Sequence, residues 1–493
     1  MTMKTLLFIL AFASPVWAAI NAASVWEIRS TAEANNGGCW WNSGGSSTDY
    51  SQQDAAQLTL TDVTSNAAGT AWASVTGGFT ANMVGSCVRL SSGTNFTVGT
   101  YQITAFTDTN NVTVDRDSTS GASASAGNIK VGGALPDTWT VAPAYVAGNT
   151  IWIKAATYTR TSTLFALTVT GTPAAPVIIQ GYTSTRGDST GTAASWTGPI
   201  FTSATNSINL MTLNTANYTT IRNIKFTHTA TTRGKALVSL TGTSVSVKIM
   251  NNVFDGFLTS VDTLGVDFTP CFLFNNTFVN GCVTTGTCGT TAHQVNISNA
   301  QITYAQGNIF YNNTGTAMKQ AGSGTWQLFA THNVFAANIR GIESTHASAT
   351  NTYYLENNSF DGNTTMGLSD AATSTPARLL LMNNIFWTTG ISLSFTSPGT
   401  DPRSVVFNNA LGNGATYSGL TAGVNDVALT GTPFTSSTNW ALNNTAGAGA
   451  SCRAAAFPGT MQDGVTIGYQ DIGAVQHQDS GGAAVTRAFP FVM

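Results

Sequence analysis

Asparagine pairs recur along this chain at a nearly constant interval, and that interval limits what the chain can fold into. The phrase Asn-Asn-x-Phe occurs as Asn251-Asn252-Val253-Phe254, Asn275-Asn276-Thr277-Phe278, Asn357-Asn358-Ser359-Phe360 and Asn383-Asn384-Ile385-Phe386. Gly307-Asn308-Ile309-Phe310 and His332-Asn333-Val334-Phe335 are variants, and Asn408-Asn409-Ala410-Leu411 ends the series. Successive Phe/Leu positions lie 24, 32, 25, 25, 26 and 25 residues apart. Each phrase follows a short apolar run, such as Val247-Lys248-Ile249-Met250, Cys271-Phe272-Leu273-Phe274 or Leu379-Leu380-Leu381-Met382. Such runs are too short and too β-prone for helices. A strand, a polar corner and another strand in every repeat describe stacked coils rather than hairpins.

Hydrogen-bond accounting explains the asparagines. Where a solenoid turns sharply, backbone groups at the corner have no ladder partner. An inward amide carries donors and acceptors, so it satisfies those groups and bonds its equivalents one coil above and below. Asn252, Asn276, Asn308, Asn333, Asn358, Asn384 and Asn409 form that column, and the Phe two residues later is expected to stack inside it. These asparagines are read as scaffold, not as a catalytic set.

The column resembles the asparagine ladder of pectate-lyase-like right-handed parallel β-helix proteins. Ala147-Gly148-Asn149-Thr150-Ile151-Trp152-Ile153-Lys154-Ala155-Ala156-Thr157-Tyr158 is similar to the first coil of that superfamily, and Ala174-Ala175-Pro176-Val177-Ile178-Ile179-Gln180-Gly181-Tyr182 to its second. Asp471-Ile472-Gly473-Ala474-Val475 looks like the closing strand of bacterial and phage β-helix repeat proteins. The resemblance implies a right-handed parallel β-helix over 131–478; with a signal peptide (1–18), an N-terminal β module (19–130) and a C-terminal tail (479–493) read from the residues themselves, the chain is expected to be all-β. It is specific for fold and weak for chemistry.

Composition narrows the function classes. Of 493 residues 42% are hydrophobic but only 8% are charged, against roughly a quarter in an average soluble domain. Solubility therefore rests on Thr, Ser, Asn and Gly, as in extracellular fibres and virion parts. A net charge of −3 with no basic run disfavours nucleic-acid binding. Lys4, the apolar run from Thr5 to Ala13 and Val16-Trp17-Ala18 have the layout of a secretory signal peptide. The run is too short to span a bilayer, and no other stretch suits a membrane helix. Localisation is thus expected to be extracellular or on a virion surface. Six cysteines in a secreted chain can pair completely, with Cys282 and Cys288 pinning a local loop.

Residues 25 to about 130 read as an antiparallel β module. Ala73-Ser74-Val75-Thr76, Val88-Arg89-Leu90, Tyr101-Gln102-Ile103-Thr104 and Val112-Thr113-Val114 are the strands, with turn chemistry at Gly77-Gly78, Ser92-Gly93 and Asp108-Thr109-Asn110-Asn111. Cys39 and Cys87 are placed to tie the module to the chain entering it. Capping the solenoid is its expected role. Trp26, Trp40 and Trp41 fit its core better than a sugar-stacking platform.

In β-helix lyases of this superfamily acid clusters bind calcium and an Arg or Lys removes a proton, while its hydrolases use grouped Asp residues. This chain has neither pattern. Asp255 and Asp361 share a column four coils apart, about 19 Å at roughly 4.8 Å per coil, too far for a carboxylate pair of either glycosidase type. Asp262 and Asp267 lie closer, but two loop carboxylates rarely hold calcium alone. The remaining constellation is Arg340, Glu343 and His346 within one coil, with Glu356 opening the next: a cation, acid/base groups and a carboxylate. His332 shares that coil, and Tyr311 and Trp387 sit outward beside the ladder as candidate sugar-stacking residues. The preferred expectation is a secreted or virion-displayed β-helix that binds a polysaccharide or cell-surface glycan without a cofactor. The alternative is a polysaccharide lyase or glycoside hydrolase using Arg340, Glu343, His346 and Glu356, with calcium as cofactor if a lyase. The resemblance also allows a homotrimer.

Overall fold

A computed structural model describes residues 20–136, 145–162, 165–167, 170–213, 216–230, 236–239, 245–256, 264–266, 269–281, 293–297, 301–320, 324–345, 351–371, 378–387, 390–395, 404–457 and 470–476. The signal-peptide segment, Asp262, Asp267, Cys282, Cys288, His346 and the C-terminal tail lie outside the described residues. The chain divides into two units near residue 150.

The first unit is built on a closed antiparallel barrel. Its strands are Leu58–Ser65, Ala71–Ala73, Cys87–Thr94, Gly99–Asp108, Asn111–Val114 and Ala124–Val131. The sequence marks three of these and meets a fourth only at Ala73, the expected Ala73–Thr76 lying mostly beyond Ala71–Ala73; Leu58–Ser65 and Ala124–Val131, unmarked, pair with each other and close the barrel. Alternation puts Leu60, Val63, Val88, Leu90, Ile103, Val112, Val114 and Ile129 inside, around Trp72. The Trp72 indole satisfies its N–H on Ser118 Oγ at 2.7 Å. Cys39 and Cys87 form the expected disulfide. Trp26 is fully buried and donates to Asn149 Oδ1 at 3.0 Å, as a core residue should. Trp40 and Trp41 are half-buried.

The second unit is the right-handed parallel β-helix. One complete coil runs through Trp326–Thr331 in the first sheet, Val334–Ala336 in the second and Arg340–Ser344 in the third, before Thr352–Glu356 re-enters the first. All strand pairs between these coils are parallel. The second sheet is 11-stranded and the third 10-stranded.

The asparagine ladder runs as expected. Asn333 shows its unit: its backbone N–H and its Nδ2 both donate to Asn358 Oδ1, at 2.9 and 3.0 Å, and Nδ2 also donates to Ala305 O at 2.8 Å. Two residues on, Phe226, Phe254, Phe278, Phe310, Phe335, Phe360 and Phe386 stack with centroids 4.6–5.2 Å apart and rings within 12° of parallel. Strand spacing of about 4.8 Å sets that distance, so identical side chains in register fall into contact.

The first Asn of each phrase has a separate role. Asn223, Asn251, Asn275, Gly307, His332, Asn357, Asn383 and Asn408 all have φ between 54° and 67°. Each corner needs one left-handed residue, and Asn tolerates that region better than other side chains that carry a Cβ. A second corner repeats the device at Gly256, Asn280, Asn312, Ala337 and Gly362. It carries its own short ladder, in which Asn313 Nδ2 donates to Asn338 Oδ1 and Asn338 Nδ2 to Asn363 Oδ1.

Val427–Ala428 ends the second sheet, and residues 430–457 and 470–476 fold back over its outside. The hairpin Phe434–Ser436/Asn439–Leu442 brings Phe434, Trp440 and Leu442 onto Val334, Ala336, Ile385 and Ala410, with Ile472 and Ala474 beside them. The segment from Asp471 to Val475 is therefore a bent cover rather than a strand. Its bend centres on Gly473 at φ 107°, where a Cβ would meet the Ile385 side chain. Complete pairing of the cysteines is not realised: Cys271 and Cys452 are buried free thiols. Burial pushes the Cys452 thiol up to about 12.

Candidate functional site

Three regions of the outer surface carry side chains suited to a ligand. The first holds part of the constellation marked in the sequence. Strand register places Asn296, Lys319, Glu343, Ser369 and Ser394 in one outward column of the third sheet. The Glu343 carboxylate meets Arg340 Nη1 at 3.2 Å and Lys319 Nζ at 3.8 Å, and accepts the Thr316 hydroxyl at 3.1 Å. Lys319 and Thr316, one coil away, were not marked in the sequence, although the 24-residue step from Thr316 to Arg340 follows the repeat. Glu356 belongs to another sheet: it ends the first-sheet strand, is buried, and accepts the Tyr354 hydroxyl at 2.6 Å. His332 is a buried corner residue, with Nε2 3.4 Å from Asn357 Nδ2. The C-terminal cover packs on Tyr311 and Trp387, and Tyr311 meets Trp440 edge-on at 5.5 Å. Register confirms that Asp255 and Asp361 stand four coils apart. Asp255 pairs with Lys225 at 2.9 Å, and Asp361 accepts the Trp440 indole N–H at 3.2 Å. Among the described residues no group of three or more His, Cys, Asp or Glu converges as metal ligands would.

The second region is an aromatic column outside the first sheet, where Phe272, Tyr304, Phe329 and Tyr354 follow one another beside a cavity of about 300 Å³. Centroids 5.0–5.1 Å apart stack the first three rings face to face. Their faces are occupied by one another, so the column offers mainly edges to a ligand.

The third region is a groove of about 780 Å³ over the first corner, inside the roughly 300–1,000 Å³ usual for ligand clefts. Its floor is the row Asn223, Asn251 and Asn275 with Val253 and Thr277 of the second sheet; its wall is the loop from Gly187 to Trp196. Asp188 folds that loop. Lost solvation opposes its charge, but the amides of Thr185, Ser184 and Thr183 and the Ser184 hydroxyl outweigh that loss. They hold the carboxyl down at about 2. Asp188 is thus a fixed negative charge bound into the loop, and the loop is shaped before any ligand arrives. Trp196 anchors its indole N–H on Pro199 O at 3.1 Å and lines the groove. Sequence reading missed this groove because the loop leaves an early coil and reaches across coils that follow it.

The groove is open for a physical reason. Farther along, the outward second-sheet residues Val334, Ala336 and Ile385 are apolar and take the C-terminal cover. Here the equivalent columns mix Lys225, Asp255 and Thr277 with Val253 and Val279, so the face is not continuously apolar.

No family model and no curated protein matches this chain. Among solved structures it is similar to a PL6 family alginate lyase, at 12% identity over 58% of this chain and 51% of that one, TM-score 0.25. It is also similar to the GH136 lacto-N-biosidase from Eubacterium ramulus, at 9% identity over 58% and 62%, TM-score 0.29. A third is the catalytic domain of a GH87 alpha-1,3-glucanase in complex with nigerose, at 12% identity over 76% and 86%, TM-score 0.24. The chain thus spans about half the length of the alginate lyase.

Proposed function

We propose that this chain is a secreted or virion-displayed surface protein that binds glycans, on a polysaccharide or a cell surface, through the outside of its β-helix. The observation that carries this reading is the groove over the first corner. Its lining combines amides, hydroxyls and one indole, the set that bonds sugar hydroxyls and packs on a sugar ring. The Cys39–Cys87 disulfide suits an oxidising, extracellular setting. No helix among the described residues is long and apolar enough to cross a membrane.

A second reading, a polysaccharide lyase or glycoside hydrolase, is favoured by one observation. Glu343 faces outward on the third sheet between two cations, Arg340 and Lys319, an arrangement able to hold a substrate carboxylate and move a proton. His346 belongs to this reading as a further acid/base group and calcium as the cofactor of a lyase, while Glu356, buried on the first sheet, stands apart from Glu343.

One experiment separates the readings. The intact protein is incubated with neutral and acidic polysaccharides while binding, unsaturated-product absorbance and reducing ends are followed. Binding without product, unchanged by Glu343→Gln, is expected. Product formation abolished by Glu343→Gln establishes the second reading instead, and neither binding nor product removes both.

A further inference from the structure

Resting on the glycan-binding reading, we infer that the groove takes a neutral, extended glycan lying parallel to the solenoid axis, with successive sugar units met by the Asn223, Asn251 and Asn275 amides and one ring packed on Trp196. Register fixes the row. Arg222, Met250 and Phe274 are direct partners in parallel pairing, and each of the three asparagines is the next residue along. Their φ values of 60°, 54° and 55° are nearly identical, so the three corners repeat the same geometry. Neighbouring amides are therefore about 4.8 Å apart, one coil per step, close to the length of one pyranose unit. A chain laid across the coils would meet only one of them.

These amides are uncommitted. Where the second Asn of each phrase spends its side chain on the ladder, no described residue hydrogen-bonds the side chains of Asn223, Asn251 or Asn275. Asn275 Oδ1 is packed over Gly307 without a hydrogen-bond partner, so Asn275 presents its Nδ2 donor to the groove. An amide offers a donor and an acceptor from one group, as vicinal hydroxyls require. Gly307 is next in the column and brings no side chain, so the row ends after three amides.

Charge selects against acidic glycans. Among the described residues no Lys or Arg lines the groove, and the nearby Lys225 is spent on Asp255 at 2.9 Å. The charge at the wall is the negative Asp188, fixed by its backbone amides. A uronate or sulfate chain would bring anions toward that carboxylate without a cation to receive them.

The test uses the whole chain and calorimetric binding of cello-, malto-, xylo-, manno- and N-acetylchito-oligosaccharides of two to six units, with oligogalacturonates and oligoalginates as acidic comparisons. Asn251→Gly and Asn275→Gly remove the amides while suiting the left-handed backbone, Trp196→Ala removes the ring, and Asn312→Gly at the second corner is the control. At least one neutral series is expected to gain affinity up to three or four units and then level off. Each groove variant should weaken it roughly three- to tenfold, with Asn312→Gly unchanged. Neutral binding that ignores all three groove variants overturns this assignment and leaves the glycan-binding reading standing. Binding confined to acidic chains overturns the neutral selection, and no binding to any series overturns both. Matching melting temperatures across the variants exclude misfolding as the cause of a loss.

Discussion

The backbone amide of Asn409 donates to Asp426 Oδ1 at 2.8 Å, so the asparagine ladder ends on a carboxylate. Asp426 Oδ2 accepts Gly423 N and the Tyr417 hydroxyl, each at 2.7 Å. Elsewhere in the ladder an amide receives from one coil and donates to the other. At the last coil all three neighbours are donors, and a carboxylate is the side chain that only accepts.

Replacing Asp426 should therefore loosen the end of the solenoid rather than its middle. Asp426→Ala leaves three donors without their acceptor and should cost about 2 kcal/mol in this half-buried setting. Asp426→Asn should cost about 1 kcal/mol, because its NH2 must face a donor. Hydrogen exchange is expected to accelerate at Asn409 and Gly423 and stay unchanged at Asn276.

A mid-ladder change should cost more. Asn333→Ala removes the acceptor of Asn308 N and Nδ2 and the donor to Ala305 O, all buried. A loss of about 3 kcal/mol is expected in denaturant melts, and Asn251→Ala, at an exposed corner outside the ladder, should cost about 1 kcal/mol.

Ala337 offers a gain. It is exposed with φ 52° in a corner column where Gly256 and Gly362 stand at 73° and 58°. Ala337→Gly relieves the left-handed strain of a Cβ and should stabilise by about 1 kcal/mol, seen as a higher melting temperature.

Much of the fold was legible because the ladder is a local phrase repeated in register. It became illegible where the same geometry used other residues. Asn223-Ile224-Lys225-Phe226 occupies one coil before the series, with Ile224 in the ladder position; its N–H still donates to Asn252 Oδ1. Asn425-Asp426-Val427-Ala428 occupies the coil after it, shortened so that only 17 residues separate Asn409 from Asp426. The sites were less legible than the fold. Arg340 and Glu343 meet through the length of the arginine side chain, since residues three apart on a strand start on opposite faces. Glu356 follows closely in sequence, yet the chain turns into another sheet before reaching it. The groove needs Trp196 from one loop and Asn275 from a later corner, a meeting that only the stacking of coils creates.

Proton binding should control the C-terminal cover. Burial raises the Asp361 carboxyl from 3.8 to about 6, against the Trp440 hydrogen bond that favours its charge. A raised folded value means the cover is most stable below pH 4 and loses that contribution as pH climbs through about 6. Exchange protection of the hairpin Phe434–Ser436/Asn439–Leu442 should fall between about pH 4 and about 6 and then level off, and Asp361→Asn should remove the dependence.

The most direct measurement is a crystal structure of the intact protein soaked with the neutral oligosaccharide it binds best. The expected result is an uncleaved chain along the first corner, in contact with Asn251 and Asn275 and packed against Trp196. Saccharide on the third sheet at Glu343, or a cleaved product there, would contradict it.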